Sequence, residues 1–198
     1  MTRKFAIIGH RAQSSGKLNL NDLAGSSGRI DVLARAVNTA LFLSHGIRKD
    51  SEVILHLEGG PGPSRRIGFI GERIRGVHPD ERAICGHLNK VLKHPITPIG
   101  VQQEINSGLW HSGGSIQHTI SEWERAGTTI YILDADGCEF SPELHNRDNI
   151  GFILSDDQAF AEKENEVMKD FARVSLGKQW LQGHSCIAII HHLLDSIK

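Results

Sequence analysis

The sequence predicts an α/β fold built on a mostly parallel sheet with helices on its faces. Three observations carry that expectation. Strand-like apolar runs alternate with stretches of helical period along most of the chain. The late runs "TIYIL", "GFIL" and "RVSL" are apolar without strict alternation, as expected for a sheet buried on both faces. Each of those runs stops at small or acidic residues, so three strands open at their carboxyl ends into polar loops. Ligands of open α/β sheets bind at such ends.

Taken in order, "KFAIIGH" is a short strand. "GRIDVLARAVNTALFLS" is a helix, with Ile30, Leu33, Ala34, Val37, Ala40 and Leu41 at helical spacing and Ser26 or Ser27 as its expected cap. "EVILHLE" and "RRIGFIG" are strands joined by the turn "GGPGPS". "HPDERAICGHLNKVLK" is a helix with Pro79, Asp80 and Glu81 at its start and Lys90 and Lys93 at its end, which suits the helix dipole. The stretch "HPITPIGVQQEINSGLWHSGGS" is rich in Pro, Gly and Ser and is expected to be a loop or boundary. "SIQHTISEWERAG" is a helix capped by Ser115 and stopped by Gly127. Two strands, a helix over "AEKENEVMKDFAR", a third strand and a closing apolar helix from Ser185 complete the chain.

A length of 198 residues suits one domain, with 39% hydrophobic and 23% charged residues. The three cysteines, Cys85, Cys138 and Cys186, stand at no redox or metal-ligand spacing, which implies a reduced, cytoplasmic chain and no metal. No apolar run reaches membrane-spanning length. The net charge of −1 hides an asymmetry: residues 1–100 carry 15 Lys+Arg against 8 Asp+Glu, and residues 101–198 carry 7 against 15. A basic half suits a polyanionic partner; a second reading is that the halves complement each other or another subunit. GxGxxG and GxxxxGK[ST] are both absent, which disfavours a nucleotide held by its phosphates.

At "YILDADG", "RVSLG" and "LQGHSCIAIIHHLLD" the chain resembles the closing elements of SPOUT-class RNA methyltransferases. The stretches "NLNDLAGSSGRIDVLARAVNTALFLSHGIRKD" and "VHPDERAI" are similar to the archaeal tRNA pseudouridine N1-methyltransferase family, and the overall likeness to that family's bacterial branch. The resemblance implies an α/β knot with a trefoil near the carboxyl end, which no composition or spacing rule would predict. It implies one domain over 1–198, with a basic RNA-facing half at 1–100 and a knotted cofactor-binding half at 128–198. It further implies a homodimer, S-adenosylmethionine as methyl donor, and RNA, with tRNA foremost, as substrate. Methylation of a different RNA nucleotide, or a knotted RNA-binding protein with weakened catalysis, are the alternatives.

The same resemblance places cofactor contacts at Leu133, Ser155, Leu176, Leu181 and Cys186. Read alone, Leu133 is a core leucine. Cys186 stands at a helix start, where a thiol can be activated; direct methyl displacement needs no covalent intermediate, and the other reading is a small buried residue. In "SSGRIDVLAR", Asp31 is the candidate to accept or orient the N1 proton of pseudouridine, and Arg29 to hold a phosphate or a uracil oxygen. Against that, a first-turn Asp also serves the helix dipole. Arg35, Arg65, Arg66 and Arg82 are candidate RNA contacts, with a solvated surface as the competing reading. The family's second cofactor loop carries glycines, whereas this chain has Ser155-Asp156-Asp157-Gln158-Ala159.

Overall fold

The computed structural model describes residues 2–145 and 149–197. Its strands are β1 (Arg3–Gln13), β2 (Phe42–Leu43), β3 (Gly46–Ile47), β4 (Ser51–Gly59), β5 (Arg65–Ile70), β6 (Gln103–Asn106), β7 (Leu109–Gly113), β8 (Thr129–Glu139), β9 (Ile150–Ser155) and β10 (Ala172–Ser175). The helices are α1 (Ile30–Leu41), α2 (Glu81–Leu92), α3 (Ile116–Arg125), α4 (Glu162–Val167) and α5 (Gly183–Asp195). One eight-stranded sheet runs β10-β8-β9-β1-β4-β5-β7-β6, and β2 and β3 form a separate ribbon. The strands from β10 to β4 are mutually parallel, while β5, β7 and β6 add antiparallel at the other side.

Strand pleating sorts the core into two layers. Phe5 and Ile7 of β1, Val53 and Leu55 of β4, and Phe152 and Leu154 of β9 pack with α1, α2 and α5. Ala6 and Ile8 of β1, Ile54 of β4, Ile153 of β9, and Ile130 and Ile132 of β8 meet Ile116, Ile120 and Trp123 of α3 on the opposite face. Both faces are therefore covered, as the apolar runs required, but β10 is an edge strand with Ala172 exposed, so burial on both faces does not extend to it.

Several local expectations give way to finer structure. The loop-rich middle contains β6 and β7, because the sheet edge at β5 supplies backbone partners that override the Gly and Ser content. α1 begins after Arg29, not after a serine side-chain cap: Gly28 and Arg29 have φ of 64° and 61° and turn the chain sharply into the helix. A Cβ on Gly28 would lie 1.9 Å from the Arg11 carbonyl oxygen, so only glycine fits where this turn meets β1. Ser27 instead accepts a hydrogen bond from the Asn19 amide at 2.9 Å and tethers the preceding loop. α4 ends at Val167, well short of the stretch expected, and α5 starts at Gly183, two residues early.

β8 runs longer than its apolar core. Ile132 pairs with Arg173 and Cys138 with Val174, so 133–137 bulge away from β10. Gly137 permits this, since a Cβ there would meet Arg173 backbone at 2.6 Å. Arg173 fixes the bulge by donating to Asp134 at 2.6 Å. From the β10 edge the chain then returns beneath the sheet, laying α5 against α1. His191 anchors it: buried, it approaches Ala40 O at 3.1 Å and Arg3 Nη1 at 3.2 Å. Burial pushes its imidazole down to about 4, so it stays neutral there.

Candidate active site

The carboxyl ends of β8, β9 and β10 and the start of α5 enclose a cavity of about 720 Å³. Leu133, Ser155, Leu176, Leu181 and Cys186 all line it, as do Asp134, Leu154, Asp156, Asp157 and Arg29. Its lining mixes apolar and polar residues, with the apolar surface the larger, and its volume lies in the size range of small-ligand sites. Trp180, 74% exposed, stands at the rim beside Leu181.

The second loop shows why serine and alanine are accommodated where glycines are the family pattern. Among the described residues Arg29 is the only non-glycine with positive φ, so 155–159 needs no left-handed backbone. Its shape comes from hydrogen bonds. The Ser155 hydroxyl donates to Gln158 O, and Asp156 Oδ1 accepts from the Gln158 amide at 2.9 Å. Asp156 is held in turn by His10 at the end of β1, whose amide donates to Oδ2 at 2.8 Å and whose Nδ1 lies 2.9 Å from Oδ1. His10 Nε2 lies 3.0 Å from Glu164 Oε2 at the start of α4, and that oxygen also accepts from the Ala161 amide at 2.7 Å. The hydrogen bond to Asp156, then that to Glu164, raises His10 from 6.5 to about 10 against the opposing effect of burial. It is an imidazolium between two carboxylates, pinning both ends of the loop. Sequence reasoning missed this cluster, whose members lie 146 and 154 residues apart with no local signature.

Asp31 and Arg29 are brought together, but in a different relation from the one expected. Asp31 is buried and does not line the cavity; Arg29 does. Arg29 Nε donates to Asp31 Oδ1 at 3.0 Å and Nη2 to Oδ2 at 3.2 Å, and Arg35 Nη2 donates to the same Oδ2 at 2.5 Å. Burial would raise the Asp31 carboxyl, yet the Arg29 hydrogen bond and the charges of both arginines outweigh it and leave it below its ordinary 3.8. A carboxylate so stabilised, with both oxygens taken, is a poor proton acceptor. Its geometry is that of a group aiming Arg29. The Cys186 thiol is pushed up by burial, the opposite of an activated nucleophile.

Arg65 and Arg66 are a correction. They are 1% and 0% exposed, so neither guanidinium can reach an RNA phosphate. Arg65 donates to Val91 O at 2.9 Å and His94 O at 2.6 Å, closing the carboxyl end of α2. Arg66 makes two 2.9 Å bonds to Glu122 of α3 and lies over the Trp110 ring at 5.8 Å. Arg66→Ala is therefore expected to destabilise the fold by about 3–5 kcal/mol, because Glu122 loses its partner and a buried space opens; denaturant melts check it. Arg82 remains on the surface, donating to Leu20 O and Asn21 Oδ1 at 3.3 Å each.

The family described as "Putative SAM-dependent RNA methyltransferase" matches residues 2–198. The chain belongs to this family. It is 32% identical over 199 residues to the tRNA (pseudouridine(54)-N(1))-methyltransferase of Methanococcus vannielii, covering 99% of this chain and 100% of that one. It is 36% identical over 198 residues to the protein of the same name from Methanosarcina acetivorans, covering 98% and 90%, and 36% over 196 residues to that of Methanocella arvoryzae, covering 98% of each. These relatives are archaeal, as the family resemblance expected; none of the three belongs to the bacterial branch. Among solved structures, Archaeoglobus fulgidus Nep1 bound to S-adenosylhomocysteine superposes with a TM-score of 0.71 at 12% identity, over 100% of this chain and 99% of that one. The fold is thus the SPOUT-type α/β architecture.

The cavity suits the family's cofactor, S-adenosylmethionine. Leu133, Leu154 and Leu176 offer an apolar surface for a purine, with backbone groups of three loops around it. Among the described residues no helix is long and apolar enough to cross a membrane.

Proposed function

We propose that this protein transfers a methyl group from S-adenosylmethionine to N1 of pseudouridine in tRNA, with position 54 the first candidate from the names its relatives bear. The observation that carries the proposal is Arg29: one side chain reaches from the start of α1 into the cavity, braced by Asp31. S-adenosylmethionine, when bound, supplies a methyl on a positively charged sulfur. The chain's task is to present an imide-type N1 in line with it and to stabilise the ring as that nitrogen loses its proton to solvent water and takes the methyl, leaving the neutral thioether. Arg29 is placed to hold a uracil oxygen, where negative charge develops. Asp31 and Arg35 act through it, as positioning residues. Leu133, Ser155, Leu176, Leu181 and Cys186 form the cofactor walls, and Arg82, on the surface of α2, is the remaining candidate RNA contact, since Arg35 is already paired with Asp31 and Glu81. Nucleoside mass spectrometry of tRNA from cells with and without the protein tests the proposal; unchanged 1-methylpseudouridine would overturn it.

The active unit is read as a dimer. Ile189 and Leu193 of α5, and Ile197 just beyond its end, recur at four-residue spacing and are only half-buried within the chain, with Ala188 exposed beside them. A second copy would cover this stripe with two-fold symmetry. Light scattering at micromolar concentration is expected to report twice the chain mass of 21.8 kDa, and Ile189→Glu to shift it to monomer.

A further inference from the structure

We propose that Arg11 and Arg29 form a clasp for an RNA backbone phosphate at the cavity mouth, and that Asp157 occupies this clasp in the free protein as an internal stand-in for the phosphate. The inference rests on the RNA methyltransferase reading above and deepens it. The two arginines come from distant parts of the chain, the end of β1 and the start of α1. They are forced together by the Gly28–Arg29 turn, which packs directly on the Arg11 carbonyl. Arg11 Nη2 and Arg29 Nη1, the latter at 3.1 Å, converge on one oxygen, Oδ2 of Asp157. Asp31 takes the Nε and Nη2 of Arg29, so Nη1 faces the mouth with two N–H groups, one for the phosphate and one for the uracil oxygen.

Asp31 balances Arg29, so Asp157 is the carboxylate that Arg11 holds, and among the described residues Arg11 has no other hydrogen-bond or ion-pair partner. The group is accessible: the side chains of Arg11, Arg29 and Asp157 are 49%, 31% and 32% exposed. Its neighbour Asp156 is the contrast. That side chain is 2% exposed and fixes the loop through His10, whereas Asp157 faces outward and contributes little to loop shape. An exposed ion pair of this kind is worth only about 0–1 kcal/mol, so a phosphodiester can displace it. A phosphate has more acceptor oxygens than the single carboxylate oxygen now shared, and can serve both forks at once.

The test is anisotropy of a pseudouridine-containing stem-loop with S-adenosylhomocysteine present, across several salt concentrations. Arg11→Gln is expected to weaken RNA binding by about 5–10-fold and to reduce the salt slope by about one. Asp157→Asn is expected to tighten it by about threefold, within what release of an exposed pair allows, and this gain should shrink in the Arg11→Gln background. Calorimetry with S-adenosylhomocysteine runs beside each variant. RNA affinity unchanged or lowered in Asp157→Asn, or an Arg11→Gln effect on the cofactor product instead of RNA, overturns the clasp. A titration with tripolyphosphate separates the two readings. If it binds more tightly to Asp157→Asn while no RNA binds the wild-type protein, the clasp stands and the RNA substrate falls. If neither anion gains, the clasp falls and the methyltransferase reading is untouched.

Discussion

Arg29→Ala is expected to slow methyl transfer by about 10²–10³-fold, the range seen when a preorganised donor to a developing anion is removed. Affinity for S-adenosylhomocysteine should change far less, since most of the cavity lining comes from the three sheet loops and the start of α5. Arg29→Lys should rescue little, because a single ammonium cannot hold both Asp31 oxygens and still reach the cavity. Asp31→Asn separates aiming from proton transfer. An aimed Arg29 predicts a partial loss, with turnover still rising normally as pH increases. A proton acceptor at Asp31 predicts a loss of the limb set by its ionisation. The depressed carboxyl and its two arginine partners favour the first outcome.

The second large effect is expected at His10. Its two carboxylate partners have side chains 2% and 5% exposed, so His10→Ala leaves Asp156 and Glu164 as uncompensated charges; removing one partner from such a group costs about 3–5 kcal/mol. The loop 155–161 should lose its shape and cofactor affinity should fall by at least tenfold, while the α1, α2 and β5 side of the molecule stays folded. The pH dependence has a definite sign. The folded-state value, about 10, lies above the ordinary 6.5, so the stabilisation is full below pH 6.5 and is lost as pH rises toward 10. Thermal melts of the wild-type protein between pH 7 and 10 should show this decline, and His10→Gln, which cannot titrate, should flatten it.

How much of this was legible in the sequence depends on whether the signal was local. The period of α1 and the apolar runs of β1, β4, β8 and β9 carry their own signature, because burial recurs along each element and leaves its pattern in neighbouring residues. The three loops at the carboxyl ends followed from where those runs stop. β6 and β7 were hidden because their partners, not their composition, make them strands. Arg65 and Arg66 looked like surface charge because an arginine's burial depends on partners in α2 and α3, 26 and 56 residues away. The His10 cluster and the Asp157 clasp were invisible for the same reason. The SPOUT resemblance pointed to the cofactor loops and to Asp31 and Arg29, but not to the direction of the hydrogen bonds between them.

The central claim is that this cavity and Arg29 deliver a methyl group to N1 of pseudouridine. Single-turnover methylation of two synthetic stem-loops, one with pseudouridine and one with uridine at the same position, tests it most directly, with the product digested and read by nucleoside mass spectrometry. The account predicts one methyl on N1 of the pseudouridine substrate, none on the uridine control, and loss of product in Arg29→Ala. Methylation of both stem-loops, or of neither by a folded protein that binds S-adenosylhomocysteine, would contradict it.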